Sequence, residues 1–101
     1  MNASMLAKLE QLAARHEEVG ALLAEPDIIN DNDRFRSLSV EYAQLEPVAD
    51  GFRNYRRVLD DLVSARDMAS DSDLELRALA QDELLDAEAR RDEQERTLQL
   101  L

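Results

Sequence analysis

Apolar residues recur at helical spacing in three stretches of the chain. In the first stretch the positions alternate in steps of four and three, which places them on one face of a helix. That face comprises Met5, Leu9, Leu12, His16, Val19 and Leu23. Ser4 precedes it as a candidate N-cap. Pro26 ends it, because the residue before a proline is pushed away from helical geometry. The pattern predicts a first helix between Ser4 and Pro26.

The second stretch predicts a long central helix from about residue 33 to about residue 69. Its start follows the polar run Asn-Asp-Asn-Asp at 30–33, which supplies candidate N-caps. Apolar positions then continue at steps of three and four for most of the segment. They are Phe35, Leu38, Tyr42, Leu45, Val48, Phe52, Tyr55, Leu59, Leu62 and Ala69, with Arg66 interrupting.

Pro47 lies in the middle of this central helix and disturbs its pattern. The step from Leu45 to Val48 is three where the alternation requires four, so the apolar face changes phase beside the proline. A local break or kink followed by a resumed helix explains this, since proline fits a first helical turn but not a helix interior. Alternatively, Ala49 and Phe52 keep the original phase and one bent helix runs through. The kinked helix is favoured, and the helix count stays at three or four.

The third stretch opens with the sequence SDSDLE. Ser72, followed three residues later by Glu75, is typical of a capping box at a helix start. Apolar contacts follow and thin out over residues 90–96 before they return at the end. They are Leu74, Ala78, Ala80, Leu84, Leu85, Ala87, Leu98, Leu100 and Leu101. The chain stops on LQLL without a C-cap, so we expect it to be the front piece of a larger protein.

These stretches predict an all-α fold in one domain, residues 1–101. Two glycines and two prolines are too few to punctuate a many-stranded sheet. Short connections make neighbouring helices antiparallel. We therefore expect an elongated antiparallel three-helix hairpin or bundle. In it the first helix covers the front half of the central one and the third lines the back half. Only two helices reach the tip near residues 68–74.

The charge balance narrows the range of partners. The chain has 23 acidic and 12 basic residues, a formal net charge of −11. No basic stripe is visible, so direct nucleic-acid binding is not expected. The acidity indicates either a solvated surface or complementarity to a basic partner, and composition does not separate the two. No apolar run reaches membrane-spanning length and cysteine is absent, so we expect a cytoplasmic protein without a membrane partner or thiolate chemistry.

No combination of residues indicates catalysis. The only histidine, His16, lies on an apolar helix face, where a structural role at the core edge is expected. The paired acids Asp60-Asp61 and Glu17-Glu18 are adjacent positions that point in different directions on a helix. Phosphate-binding, dinucleotide-binding and calcium-binding loops are absent. We therefore expect no enzyme, cofactor or metal site. A helical docking module with an acidic surface and a passive spacer or coiled-coil-like oligomerisation module remain as hypotheses.

The first two helical stretches also resemble a known family. KLEQLAARHEEVGALLAEP at 8–26 and RFRSLSVEYAQLEPV at 34–48 are similar to the N-terminal domain of bacterial peptide chain release factors of type 1. AQDEL at 80–84 resembles the family as well. The resemblance covers essentially the whole chain, is strongest over 8–45 and is looser over 49–75. The sister factor that reads another pair of stop codons has a different pattern here, which favours type 1.

The resemblance implies a role in translation termination. Type 1 factors recognise UAA and UAG and trigger hydrolysis of peptidyl-tRNA. Their codon-reading Pro-X-Thr tripeptide and Gly-Gly-Gln release loop occur nowhere in these 101 residues. The chain would thus be the N-terminal domain of a longer factor, without the codon-reading and catalytic domains. In the family this domain lies near the large-subunit stalk base and the GTPase-associated centre of the ribosome. It is linked there to the GTPase release factor 3.

Three aspartates near the expected two-helix tip are the candidate partner-binding residues. Asp67, Asp71 and Asp73 are acidic, exposed in the prediction and close to the connection between the second and third helices. The alternative is that they only cap the third helix. Self-association of the isolated chain through its C-terminal leucines is also open.

Overall fold

The computed structural model describes all 101 residues, and every regular element in it is an α-helix. The helices are α1 (Ala3–Leu22), α2 (Pro26–Ile29), α3 (Asn32–Ala69) and α4 (Leu74–Gln99). The all-α prediction and the long central helix are confirmed. The chain forms two compact units. The first is Met1–Phe52 with Leu101, and the second is Arg53–Leu100. None of the helices is long and apolar enough to cross a membrane.

The helix that sequence reasoning missed is α2. Pro26 was expected to stop the first helix, but α1 already ends at Leu22 and Pro26 is the first residue of α2. Proline is well tolerated there because its missing N–H would have no partner in a first turn. The short helix is anchored by Ile28, whose side chain is 2% exposed. The count of four helices therefore arises at Pro26 and not at Pro47.

Of the arrangements predicted at Pro47, a break is not the one observed, because α3 is one helix of 38 residues with Pro47 inside it. The alternative phase is the one observed: Ala49 and Phe52 are buried, while Val48 is only partly covered. Pro47 cannot donate to the carbonyl oxygen of Ala43, one turn earlier. Both residues are exposed. Water can therefore satisfy that carbonyl, which explains why the proline is tolerated.

Side-chain caps define the helix starts, but two of them are not the predicted ones. Asn2, not Ser4, caps α1, and its Oδ1 accepts a hydrogen bond from Met5 N at 2.8 Å. Asp73, not Ser72, caps α4. Asp31 lies in the predicted polar run and accepts from Arg34 N at 3.2 Å. Asn, Asp and Ser are comparable caps, so the choice depends on which residue has extended backbone geometry.

In the first unit, α1 packs against the front part of α3 through stacked rings. The His16 and Tyr42 rings lie 4.2 Å apart at an angle of 18°. Gly20 leaves room for Tyr42, since a Cβ there would lie 3.2 Å from Tyr42 Cε2. His16 thus lies at the core edge, as expected. Phe35, predicted to begin the buried face of the central helix, is 40% exposed and is a correction to that prediction.

A bidentate ion pair joins the same two helices. Arg15 donates from Nε to Glu41 Oε2 at 2.7 Å and from Nη2 to Glu41 Oε1 at 2.8 Å. The hydrogen bonds from Arg15 lower the pKa of the Glu41 carboxyl, although desolvation opposes them. Paired N–H donors that match a carboxylate fix orientation as well as contact. The pair therefore sets the register of α1 along α3.

In the second unit, α3 and α4 are antiparallel neighbours. Tyr55 Oη donates to Glu95 Oε1 at 2.8 Å, and Arg90 Nη1 donates to Asp61 Oδ2 at 3.0 Å. Later residues of α3 thus meet earlier residues of α4, which confirms the antiparallel prediction for this pair. Burial first, and then the bond to Glu95, raise the pKa of Tyr55 to about 12.

The buried face of α3 in the second unit agrees with the predicted one at Tyr55 and Leu62 and differs from it by one residue at two other positions. Val58 and Ala65 are buried where Leu59 and Arg66 were expected to lie on the apolar face. Leu74 and Leu85 were expected to make core contacts and are exposed. The core residues are Tyr55, Val58, Leu62 and Ala65 of α3 with Ala80, Ala87 and Leu98 of α4.

Replacing Pro47 by alanine is expected to stabilise the protein by about 2 kcal/mol in urea unfolding followed by circular dichroism. An interior proline costs about 3 kcal/mol relative to alanine, offset by about 0.4–1 kcal/mol through the unfolded chain. Pro26→Ala is the control, because Pro26 occupies a first helical turn. It should give no comparable gain. A loss of stability in Pro47→Ala would contradict the explanation.

Asp73→Ala is expected to destabilise the protein by about 1 kcal/mol, since it removes the side-chain cap of α4. Ser72→Ala is the matched control, and we expect almost no change because Ser72 caps nothing in this structure. Chemical unfolding of both variants provides the measurement. An equal loss of stability in the two variants would contradict the assignment of the cap to Asp73.

Glu41→Gln is expected to lower the thermal midpoint at neutral pH and to lose its effect in acid. The pKa of Glu41 is held below its ordinary value of 4.5. The ion pair therefore stabilises the fold above that value, and its contribution disappears as the pH falls through the lowered pKa. Glu46→Gln, an exposed neighbour on α3, controls for the change in net charge. A difference between the two variants that persists at about pH 2 would refute the pairing.

Candidate functional site

The histidine and the acidic residues of the chain do not form a metal-binding cluster. No group of three or more His, Cys, Asp or Glu side chains is placed to hold a metal ion. His16 Nε2 is buried without a hydrogen-bond partner, and the ring stacks on Tyr42. No hydrogen bond joins the imidazole to a carboxylate or hydroxyl group that could use it as a base. The remaining candidates are surfaces for binding.

Charge is strongly segregated within the second unit. Residues 60–88, which we name the acidic end, contain ten acidic residues and two basic ones, Arg66 and Arg77, a net charge of −8. Residues 53–59 and 89–100, the rest of that unit, contain six arginines and three acids, a net charge of +3. Most of the overall net charge of −11 therefore comes from the acidic end, which is far more acidic than the chain as a whole. Such a region attracts basic partners and repels phosphate.

An open groove lies in the acidic end between α3 and α4. Its volume is about 650 Å³. The residues of each wall follow one another at steps of three or four, so each set occupies one helix face. The groove is lined by Asp61, Ser64, Ala65 and Met68 of α3 and by Leu79, Asp82 and Glu83 of α4. Along α3 this covers two turns, about 10 Å.

The apolar part of the groove is exposed to solvent. Met68 on the α3 wall is 45% exposed, and Leu79 on the α4 wall is 62% exposed. Leu76 is also exposed and lies one turn before Leu79, so helical spacing extends the apolar face of α4. Exposed apolar patches rimmed by polar residues are typical of protein-binding surfaces. These side chains therefore favour a binding role for the groove.

The acidic residues that line the groove differ in whether they already form an ion pair within the chain. Asp61 accepts from Arg90 Nη1 at 3.0 Å, and Arg90 Nε donates to Asp86 Oδ2, also at 3.0 Å. The pKa of Arg90 is raised, chiefly by the hydrogen bond to Asp61. The carboxylates of Asp82 and Glu83 make no hydrogen bond or ion pair within the chain. The negative charge that is open to a partner is therefore on the α4 wall.

The three predicted partner-binding aspartates lie at the same end of the unit, in and beside the α3–α4 turn. Asp73 Oδ1 accepts from Glu75 N at 2.9 Å and from Leu76 N at 3.5 Å. Asp71 Oδ1 accepts from Asp73 N at 2.8 Å. The carboxylate of Asp67 makes no such bond. The structure thus gives Asp71 and Asp73 a structural role, and the partner contact of all three stays a prediction.

Sequence reasoning missed the groove residues themselves. Asp61 was interpreted only as one of two adjacent acids that point in different directions on a helix. No role was assigned to Met68, Leu79, Asp82 and Glu83. Two signals were present in the sequence: the local charge of residues 60–88, and large apolar residues in that acidic segment at positions that the predicted core did not need. Only the register of α4 on α3 shows that these residues share one groove.

The comparisons with known proteins identify the family. The model of the PCRF domain matches residues 12–101, which are 90 of the 101 residues and include both walls of the groove. No solved structure matched the chain. The family match agrees with the resemblance seen over residues 8–48 and 80–84. The chain belongs to the PCRF domain family, the helical N-terminal region of peptide chain release factors, and its role is in translation termination.

Proposed function

We propose that this chain is the ribosome-docking domain of a type 1 release factor and that it binds protein through the acidic end of its second unit. Release factors work on the ribosome, so the ribosome is the partner at the level of the family. The observation that carries the finer proposal is the segregation of charge. Residues 60–88 contain ten acidic residues against two basic ones, and three of these acids line an open groove with exposed apolar side chains.

The electrostatics favour a protein partner over RNA. A net charge of −8 over residues 60–88 opposes the approach of phosphate groups and favours lysine- and arginine-rich surfaces. Among ribosomal components, such surfaces are provided by basic ribosomal proteins. The proposal therefore places the acidic end against the protein at the large-subunit stalk base, near the GTPase-associated centre. The GTPase release factor 3 is a second partner in the same proposal.

The assignment to type 1 rests on the resemblance of residues 8–26 and 34–48. In this proposal the complete factor reads UAA and UAG in the cytoplasm, and residues 1–101 contribute binding and no chemistry. Neither a Gly-Gly-Gln loop nor a Pro-X-Thr tripeptide is present in the chain. Codon choice and peptide release would then belong to other parts of a longer protein.

A spacer or oligomerisation module is the second candidate function. The observation in its favour is the exposure of leucines outside the groove, such as Leu85 on α4 at 67% and Leu100 at 87%. Exposed leucines of this kind can pair copies of a helix. Sedimentation of the isolated chain over a range of concentrations would separate the two functions, since a docking module should stay monomeric.

Binding of the 101-residue chain to large ribosomal subunits tests the proposal. We expect binding to subunits that contain the stalk-base protein and loss of binding to subunits that lack it. Because the contact is electrostatic in origin, the affinity should fall by about tenfold or more between roughly 0.05 and 0.5 M salt. A folded, monomeric chain that binds neither kind of subunit would favour the spacer instead.

A further inference from the structure

We propose that the groove between α3 and α4 binds an amphipathic α-helix of a protein partner, with lysine or arginine residues beside its apolar face. This inference rests on the proposed function and names the kind of segment that the acidic end accepts. The observation behind it is the combination of exposed apolar side chains and unpaired carboxylates in one groove.

The dimensions and the location of the groove match a helix. Its walls are two antiparallel helices, and it runs for about 10 Å along them, the length of two helical turns. Peptide helices bind in such grooves by placing apolar residues at i, i+3, i+4 and i+7 between the walls. A peptide that binds as an added β-strand would need a sheet edge, and the chain contains no strand. Polyproline segments bind in grooves lined by aromatic residues, and no aromatic residue lines this one. A helix is therefore the secondary structure that this groove accommodates.

The apolar contacts come from two opposing side chains. Met68 of α3 and Leu79 of α4 are both exposed and line the groove from different helices. Methionine is flexible and adapts its shape to the side chain packed against it. An apolar residue of the bound helix would cover both at once. Their desolvation would add to the electrostatic attraction of the acidic end, as at the centre of other protein interfaces.

The charges determine which helix is accepted. Asp82 and Glu83 line the α4 wall and have no partner in the chain, whereas Asp61 is held by Arg90. Of the two cations in the acidic end, Arg77 already donates from Nε to the backbone oxygen of Asp71 at 2.9 Å. A helix with Lys or Arg flanking its apolar face satisfies the two open carboxylates. An acidic helix, RNA or an anionic membrane would meet repulsion.

The direct test uses a designed helical peptide of leucine and lysine, about two to four turns long, with leucines at i, i+3, i+4 and i+7. Its binding to the 101-residue chain is followed by fluorescence anisotropy and by amide shifts in NMR. A peptide of the same composition in scrambled order is the control. We expect the amphipathic peptide to bind at least about fivefold more tightly than the scrambled one, with shifts centred on the groove. Equal affinity of the two peptides, or shifts spread over the surface, would overturn the inference.

Matched variants of the chain locate the contact. Met68→Gln and Leu79→Gln should each weaken peptide binding by about fivefold, and Leu85→Gln, an equally exposed leucine outside the groove, should change it by less than about twofold. The pair Asp82→Asn with Glu83→Gln is compared with Asp60→Asn and Glu75→Gln, which remove the same charge elsewhere in the acidic end. Thermal unfolding verifies that each variant is folded. If both double substitutions weaken peptide binding equally, the effect is a general electrostatic attraction. That result would contradict binding in the groove.

The same variants on large ribosomal subunits separate this inference from the proposed function. If the unmodified chain binds subunits and the groove variants bind equally well, the groove inference fails and the docking function stands. If the unmodified chain does not bind subunits, the docking function fails, and the peptide measurements decide the groove by themselves. Loss of subunit binding in the groove variants alone supports both.

Discussion

The continuity of α3 through Pro47 is the constraint on which the rest of the structure depends. One helix supplies buried residues to both compact units, Ala49 and Phe52 to the first and Tyr55, Val58 and Leu62 to the second. A break at the proline would change the phase of every later residue. The helix tolerates Pro47 because the carbonyl of Ala43, which has no N–H donor at Pro47, lies on an exposed face where water can bind it. Packing on the other face stabilises the helix.

The distribution of charge marks one part of this chain as a candidate binding surface. An acidic surface spread evenly would give solubility alone, but here the acids concentrate at the end of the second unit where α3 and α4 meet. Some of them are used by the fold, as Asp73 is in capping α4 and Asp61 in binding Arg90. Others, including Asp82 and Glu83, have no internal partner. These unpaired acidic residues are free to contact a partner, and they support the docking role proposed for this release factor domain.

Capping and core residues show where the sequence pattern was ambiguous. Ser72 and Asp73 are both good caps, and their order along the chain does not reveal which one has extended geometry. Similarly, Val58 and Leu59 are adjacent apolar residues, and either could continue a face with a period near 3.6. In each case neighbouring positions had almost the same intrinsic preference. The packing of α4 on α3 resolved these choices, and no property of a single helix could.

The sequence by itself determined the fold class, the extent of the long helix, the antiparallel pairing of α3 with α4 and the release factor family. These follow from local periodicity, from the scarcity of turn residues and from a run of family-typical residues, all of which exist before the chain folds. The tertiary structure decided that Pro47 lies inside a helix, that Pro26 begins one, and that Met68 and Leu79 face one groove. Those outcomes depend on which helix faces pack together and at what register. The packing is determined by contacts between residues that are far apart in the chain.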